Sequence, residues 1–304
     1  MDIKTLPLDF EKVCIEEIQA SWLSEKNIGL SVLRLDKLHP VVSGNKWFKL
    51  KYYLEEALLL EKPTVATFGG AYSNHIVATA FACKAYGLQS VGIIRGEQSD
   101  VASPTLYQAE SYGMQLLYVS REQFREKEKV AEQFGQFNWY WIGEGGYGST
   151  GAKGAAEILG LANHQDYTDI VASVGTGTML AGIIQSARES QRITGVSSLK
   201  GNFSLEQEVR DLLPMNVKQR PFRIIHDYHF GGYGKQSEDL IQFIQQVYDE
   251  HQLPLDFVYT GKLFYAIKDL VNGQYFKDNA SILMIHSGGL QGNASLGKSQ
   301  LSFL

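Results

Sequence analysis

Cysteine is nearly absent. The 304 residues hold two, Cys14 and Cys83, at a spacing that suits neither a metal site nor a redox pair. A disulfide-stapled scaffold is thereby excluded, and a reducing cytoplasm is expected, with both thiols serving as small core residues. Long apolar runs are missing as well. No segment approaches the roughly 18 residues of a membrane span, and the opening "MDIKTLPLDFEKVC" carries no charged-then-apolar leader pattern. Positive charge is scarce. A net charge of -5 without any basic tract argues against nucleic acid and anionic lipid as partners. Repeats and low-complexity segments are lacking too. What remains is ordinary for a soluble globular chain: 44% hydrophobic and 20% charged residues, with length enough for about two domains and a large core.

Short apolar runs alternate with helical patterns. "TVATF" (64–68), "SVGIIRG" (90–96), "MQLLYVS" (114–120) and "FNWYWI" (137–142) read as strands. Helices lie between them at 74–87, from Ser103-Pro104 to about Gly113, and in a charged stretch after 120, which makes a parallel α/β unit. The glycine-rich "GEGGYGSTGAKG" (143–154) is a domain crossing, a ligand loop, or both. Beyond it come strands at 167–174, 193–196, 222–228 and 281–287, with helices near 151–162, 177–189, 204–213, 237–252 and 262–272. They predict a second, larger parallel sheet that takes in "LSVLRLD" (30–36). The expected architecture is α/β with two domains, parallel sheets and helices on both faces. The large domain would be 1–49 plus 151–304, with 50–150 inserted as the small one.

The stretch "VVSGNKWFKLKYYLEEALLL" (41–60) reads as a helix with Asn45 as N-cap and Lys46 and Lys49 in its first turn. A helix N-terminus repels cations. Two readings follow: the lysines snorkel to water, or Lys46 is an enclosed amine of lowered pKa, usable as a nucleophile near a bound anion.

Ligands of open parallel sheets bind beyond the carboxyl ends of the strands, and three loops there have suitable chemistry. "FGGAYSNH" (68–75) leads through two glycines to Ser73, Asn74 and His75 at a helix start, where an N-cap accounts for only one of the three. "SVGTGTMLAG" (173–182) opens a helix whose backbone N–H groups from Gly175 onward can surround a phosphate. It is neither GxGxxG nor followed by the Lys-Ser/Thr of a P-loop, so it is a phosphate cradle without a nucleotide. "HSGGLQG" (286–292) is a turn or a third ligand loop. A helix-start lysine, a phosphate loop and polar strand ends together suggest pyridoxal 5'-phosphate, which offers an aldehyde to the one and a phosphate to the other.

"SGNKWFKLKYYL", "GGAYSNH", "GTGTMLAG", "VYTGK" and "HSGG" occur in an order that resembles the 1-aminocyclopropane-1-carboxylate (ACC) deaminase and D-cysteine desulfhydrase family, over roughly residues 30 to 293. The resemblance implies the tryptophan-synthase-β fold, with pyridoxal phosphate in the cleft between two domains, and a homodimer. It implies that Lys46 carries the cofactor, that Ser73 lies near the substrate carboxylate and is a candidate nucleophile, and that Asn74 contacts the cofactor's 3-hydroxyl. It places Gly175, Thr176, Gly177 and Thr178 on the phosphate loop. It offers Tyr233 and Tyr259 as the active-site tyrosines, and His75 and Ser287 as substrate contacts. Lys49 matches a family lysine whose role stays open. The chain departs from the family pattern at Thr178-Met179, where many relatives have Gly-Thr. It departs at Thr260, where the deaminase has the glutamate that faces the pyridine nitrogen, and at Ser287, where the deaminase has leucine. His75 stands where the deaminase has glutamine. The implied reaction is breakdown of a small amino acid to a 2-oxo acid and ammonia. D-cysteine elimination is the first reading, ACC deamination the second, and a weakly active pyridoxal-phosphate-binding homologue the third.

Overall fold

The computed structural model describes residues 6–101, 103–297 and 300–304; the first five residues of the expected N-terminal segment lie outside it. The strands are β1 (Ile15–Ile18), β2 (Gly29–Arg34), β3 (Thr64–Gly69), β4 (Gln89–Arg95), β5 (Met114–Val119), β6 (Tyr140–Ile142), β7 (Asp169–Val174), β8 (Arg192–Ser197), β9 (Arg223–Ile225) and β10 (Ser281–His286). The helices are α1 (Ser21–Ser24), α2 (Asn45–Leu59), α3 (Asn74–Tyr86), α4 (Pro104–Ser111), α5 (Lys127–Gln133), α6 (Ser149–Ala155), α7 (Thr178–Ser186), α8 (Leu205–Asp211), α9 (Glu238–His251) and α10 (Thr260–Asn272).

Two sheets result, ordered β1-β2-β10-β7-β8-β9 and β5-β4-β3-β6. The small sheet is parallel throughout. The large one is parallel except at its edge, where β1 pairs antiparallel with β2. That edge strand is missing from the sequence reading, because "IEEI" is short and half charged and gives no apolar run.

Both faces of the large sheet are covered, which is why its strands read as continuous apolar runs rather than alternating ones. Along β10, Leu283 and Ile285 face one cluster, with Phe48, Leu50 and Leu180. Ile282 and Met284 face the other, with Leu263, Phe264 and Ile267 of α10. The first cluster also contains Val65 and Ile142 of the small sheet and Trp47 and Leu54 of α2, so the two sheets share one core across this helix. α2 runs unbroken through residues 49 and 50, and the passage from one sheet to the other is therefore helical. Cys83 is buried in this core, its thiol pushed up to about 12 by burial, and Cys14 is half-buried; both are free. Among the described residues no helix is long and apolar enough to cross a membrane, and no cluster of His, Cys, Asp or Glu is placed to hold a metal ion.

Candidate active site

The loops after β3, β7 and β10 converge with the start of α2 on a cavity of about 920 Å³. Lys46, Lys49, Ser73, Asn74, His75, Gly175, Thr176, Gly177, Tyr233, Tyr259 and Ser287 all line it. Two predicted members do not: neither Thr178 nor Thr260 lines the cavity, and both are fully buried. The Thr178 hydroxyl is 3.1 Å from that of Thr176. The Thr260 hydroxyl accepts from the backbone N–H of Asp256 (2.8 Å) and donates to the Asp256 carboxylate (2.6 Å), so both of its hydrogen-bonding roles are taken.

The start of α2 also differs from expectation. Asn45 is the first helical residue, not the cap; Gly44 caps, with no side-chain oxygen to offer. Gly44 sits at φ +60, and its backbone presses on Ser287–Gly288 so closely that a Cβ would lie 1.9 Å from the Ser287 oxygen. The Asn45 N–H then donates to that same oxygen at 3.1 Å. Freed from capping, the Asn45 side chain accepts from Lys46 Nζ at 2.6 Å and turns its amide to the Met179 sulfur at 3.2 Å.

Burial lowers the Lys46 amine to about 8, against a smaller upward pull from Asp256. Burial and then the neighbouring Lys46 hold Lys49 well below its ordinary value; its Nζ donates to the Gly145 carbonyl at 3.1 Å. These lysines do not snorkel. They form an enclosed pair of amines with N–H groups to spare for an anion.

His75 is neutral. Burial, then Lys46 and Lys49, push it down to about 3. The Thr67 hydroxyl donates to the Ile142 carbonyl (2.9 Å), so its contact with His75 Nε2 (2.8 Å) must be an acceptance. The ring proton therefore sits on Nε2, and Nδ1 is a buried acceptor without a partner among the described residues. Ser73 caps α3 through the Ile76 N–H (3.4 Å), which leaves its own proton free. Asn74 donates to the Gly289 carbonyl (3.2 Å), while its Oδ1 is buried and has no partner among the described residues. The Ser287 and Ser173 hydroxyls lie 3.3 Å apart on the wall.

The rings of Tyr233 and Tyr259 meet edge-on at 5.9 Å. Desolvation raises both phenols: that of Tyr233 although the residue is 46% exposed, and that of Tyr259 strongly, with a further push from Tyr233. Behind them lies Asp256, fully buried, whose carboxylate accepts the N–H groups of Val258, Tyr259 and Thr260. It fixes the start of α10 and hence Tyr259. The sequence reading missed it, although an Asp ahead of a helix is an N-terminus signal.

These residues fit a phosphorylated aldehyde. α7 begins at Gly177 with no side-chain cap, so its first-turn N–H groups are left for an anion. The orphaned Asn74 oxygen awaits a donor, and an amine of lowered pKa awaits a carbonyl. The glycines of the loop serve packing rather than a ligand. At Gly177, with φ +80, a Cβ would lie 2.7 Å from Val209; at Gly175 it would touch the Tyr259 phenol at 3.1 Å. Gly177→Ala is accordingly expected to cost roughly 1–3 kcal/mol and to weaken cofactor binding by moving the loop. Gly175→Ala should instead lower kcat by displacing Tyr259. Titration of both apoproteins with pyridoxal phosphate checks this, and unchanged affinity for Gly177→Ala would move the phosphate elsewhere.

Comparison with known proteins agrees with this chemistry. The family model described as "Pyridoxal-phosphate dependent enzyme" matches residues 18–288. A Pyrococcus abyssi protein, provisionally named a 1-aminocyclopropane-1-carboxylate deaminase, is 33% identical over 92% of this chain and 90% of its own. A Klebsiella pneumoniae D-cysteine desulfhydrase is 26% identical over 85% of this chain and 86% of its own. A crystal structure of an ACC deaminase homologue superposes with a TM-score of 0.82 at 27% identity, covering 100% of this chain and 95% of that one.

Proposed function

Because the chain belongs to the family of pyridoxal-phosphate-dependent enzymes, we propose that it breaks down a small amino acid to a 2-oxo acid and ammonia, with D-cysteine preferred. D-cysteine and water would give pyruvate, hydrogen sulfide and ammonia. The bound cofactor supplies an electron sink for charge developing at the substrate α-carbon. Lys46 would hold its aldehyde, and Gly175, Thr176 and Gly177 at the start of α7 its phosphate, with Thr178 standing behind them. The unpartnered Asn74 oxygen suits its ring hydroxyl. Ser73 and the α3 N-terminus would receive the substrate carboxylate, beside the neutral His75. An amine near 8 is a base matched to neutral pH, whereas the raised phenols of Tyr233 and Tyr259 remain protonated and act as donors. The two sheets are read as two domains flanking the cofactor, in a cytoplasmic homodimer; the two free thiols fit a reducing compartment.

The preference for D-cysteine rests on one observation: the Ser173–Ser287 wall is built of neutral hydroxyls, and the nearby carboxylate of Asp256 stands behind Thr260 rather than in the cavity. Expelling a thiol from the β-carbon relieves developing charge early and tolerates a weak sink; opening a cyclopropane has no such leaving group. The same Asp256 favours ACC deamination as the second reading, since its negative charge is felt at Lys46. The enclosed amines and paired phenols argue against a weakly active pyridoxal-phosphate-binding homologue. The test is pyruvate and 2-oxobutanoate release from D-cysteine, L-cysteine, β-chloro-D-alanine, D-serine and ACC. The expected result is a higher kcat/KM for D-cysteine than for ACC, and a Ser287→Leu variant shifted toward ACC. Faster ACC turnover by the unaltered enzyme would overturn the choice.

A further inference from the structure

Helix α10 carries a lysine that the reaction above does not use. Lys262 is fully buried, and no ion pair among the described residues includes it. A cation in the first turn of a helix is repelled by the backbone, and an enclosed one with no carboxylate bonded to it is costly; burial lowers this amine to about 8, against a smaller upward pull from Asp256. A methionine would fill the space without either penalty. The ammonium does something a methionine cannot: its Nζ donates to two carbonyls of one loop, His229 at 2.8 Å and Gly232 at 2.9 Å.

These two carbonyls open successive turns. The His229 oxygen also accepts the Gly232 N–H, and the Gly232 oxygen also accepts the Lys235 N–H. Between them the backbone holds positive φ at Phe230, Gly231, Gly232 and Gly234, a run with little intrinsic stability. Tyr233 is the first residue after the second clamped carbonyl. On the other side, Tyr259 is the N-cap of α10, three residues before Lys262. One helix therefore presents one phenol directly and grips the loop that presents the other.

We propose that Lys262 is a positioning residue that fixes Tyr233 against Tyr259 by clamping the 229–235 double turn. The proposal rests on the reading of these tyrosines as the proton donors of the site. The test uses the pyridoxal-phosphate-loaded Lys262→Met enzyme and three readouts. Trypsin cleavage after the exposed Lys235 should accelerate under native conditions, because the loop opens locally. With the best substrate of the panel above, kcat should fall by about 10²-fold, as for an ångström-scale misplacement, with KM little changed. In a Tyr233→Phe background the same substitution should change kcat by less than about twofold, since coupled residues are not additive. Unchanged cleavage at Lys235, or a full additional loss of kcat in the Tyr233→Phe background, would overturn the clamp. If Tyr233→Phe alone leaves kcat unchanged, the role of Tyr233 falls, and the cleavage rate by itself decides the clamp. Should Lys262→Met fail to fold, Lys262→Gln, which keeps amide donors, carries the same readouts.

Discussion

Lys46→Ala is expected to abolish turnover while leaving a folded protein that still binds pyridoxal phosphate non-covalently. Borohydride should fix the cofactor to Lys46 in the unaltered enzyme and to nothing in the variant. A label on Lys49 would sink the assignment, and Lys49 is the serious competitor. Burial and the adjacent Lys46 hold its amine well below the ordinary value as well, so protonation alone does not separate it from Lys46. Geometry decides between them: Lys49 Nζ is spent on the Gly145 carbonyl, while Lys46 is held only by its neighbour Asn45.

The same variant carries a stability signature. The Lys46 amine falls from an ordinary 10.5 to about 8 on folding, so the unfolded chain binds its proton more tightly. Stability must then rise with pH between about 8 and 10.5, and the penalty is fully present below that window. Removing the amine lifts the penalty. At pH 7 the Lys46→Ala apoprotein should be at least as stable as the unaltered apoprotein, by roughly 1–3 kcal/mol at most. The difference should shrink as pH rises toward 10.5. Urea denaturation at pH 7 and 10 measures both, and a variant several kcal/mol less stable at pH 7 would mean that Lys46 is a packing residue.

Much of this fold was legible because strands buried on both faces leave uninterrupted apolar runs. β7 and β10 lie within two residues of the predicted spans at either end. The span 137–142 shrank to Tyr140–Ile142 because its first residue belongs to a tight turn ending at Phe137, and an aromatic run looks alike in either setting. β1 was illegible for the opposite reason: an edge strand needs only one partner and can be half charged.

In the site, residues that face the cavity were visible as motifs, whereas residues that act from behind were not. Asp256 precedes the "VYTGK" stretch and Lys262 is its last residue, yet the roles of both depend on backbone groups, 33 residues away in the case of His229. Thr260 was misplaced on the same account. The resemblance puts it where a glutamate faces the pyridine nitrogen, whereas the fold brings the Asp256 carboxylate 2.6 Å from its hydroxyl.

The contact between Gly44 and Ser287 should be among the least forgiving points of the described residues. At φ +60 and ψ -132 a side chain is strained in any surroundings. Here the surroundings are backbone, with the Ser287 oxygen 1.9 Å and the Gly288 nitrogen 2.5 Å from an added Cβ. Backbone cannot rotate aside as a side chain can. Gly44→Ala must therefore separate α2 from the loop after β10, break the Asn45 N–H to Ser287 bond, and shift Lys46 and Ser287 together. Strain and overpacking together should cost roughly 3–5 kcal/mol. The cofactor dissociation constant should rise by about tenfold or more, since each 1.4 kcal/mol of lost binding is a factor of ten. Gly87 supplies the control. It too has positive φ, +71, but nothing lies within 4 Å of an added Cβ, so Gly87→Ala should cost only ~1 kcal/mol and leave cofactor affinity unchanged. Denaturant midpoints and pyridoxal-phosphate titrations of the two variants, side by side, isolate the close approach from the backbone conformation. Equal losses in both would show that the approach of α2 to the Ser287 loop contributes nothing to holding the site together.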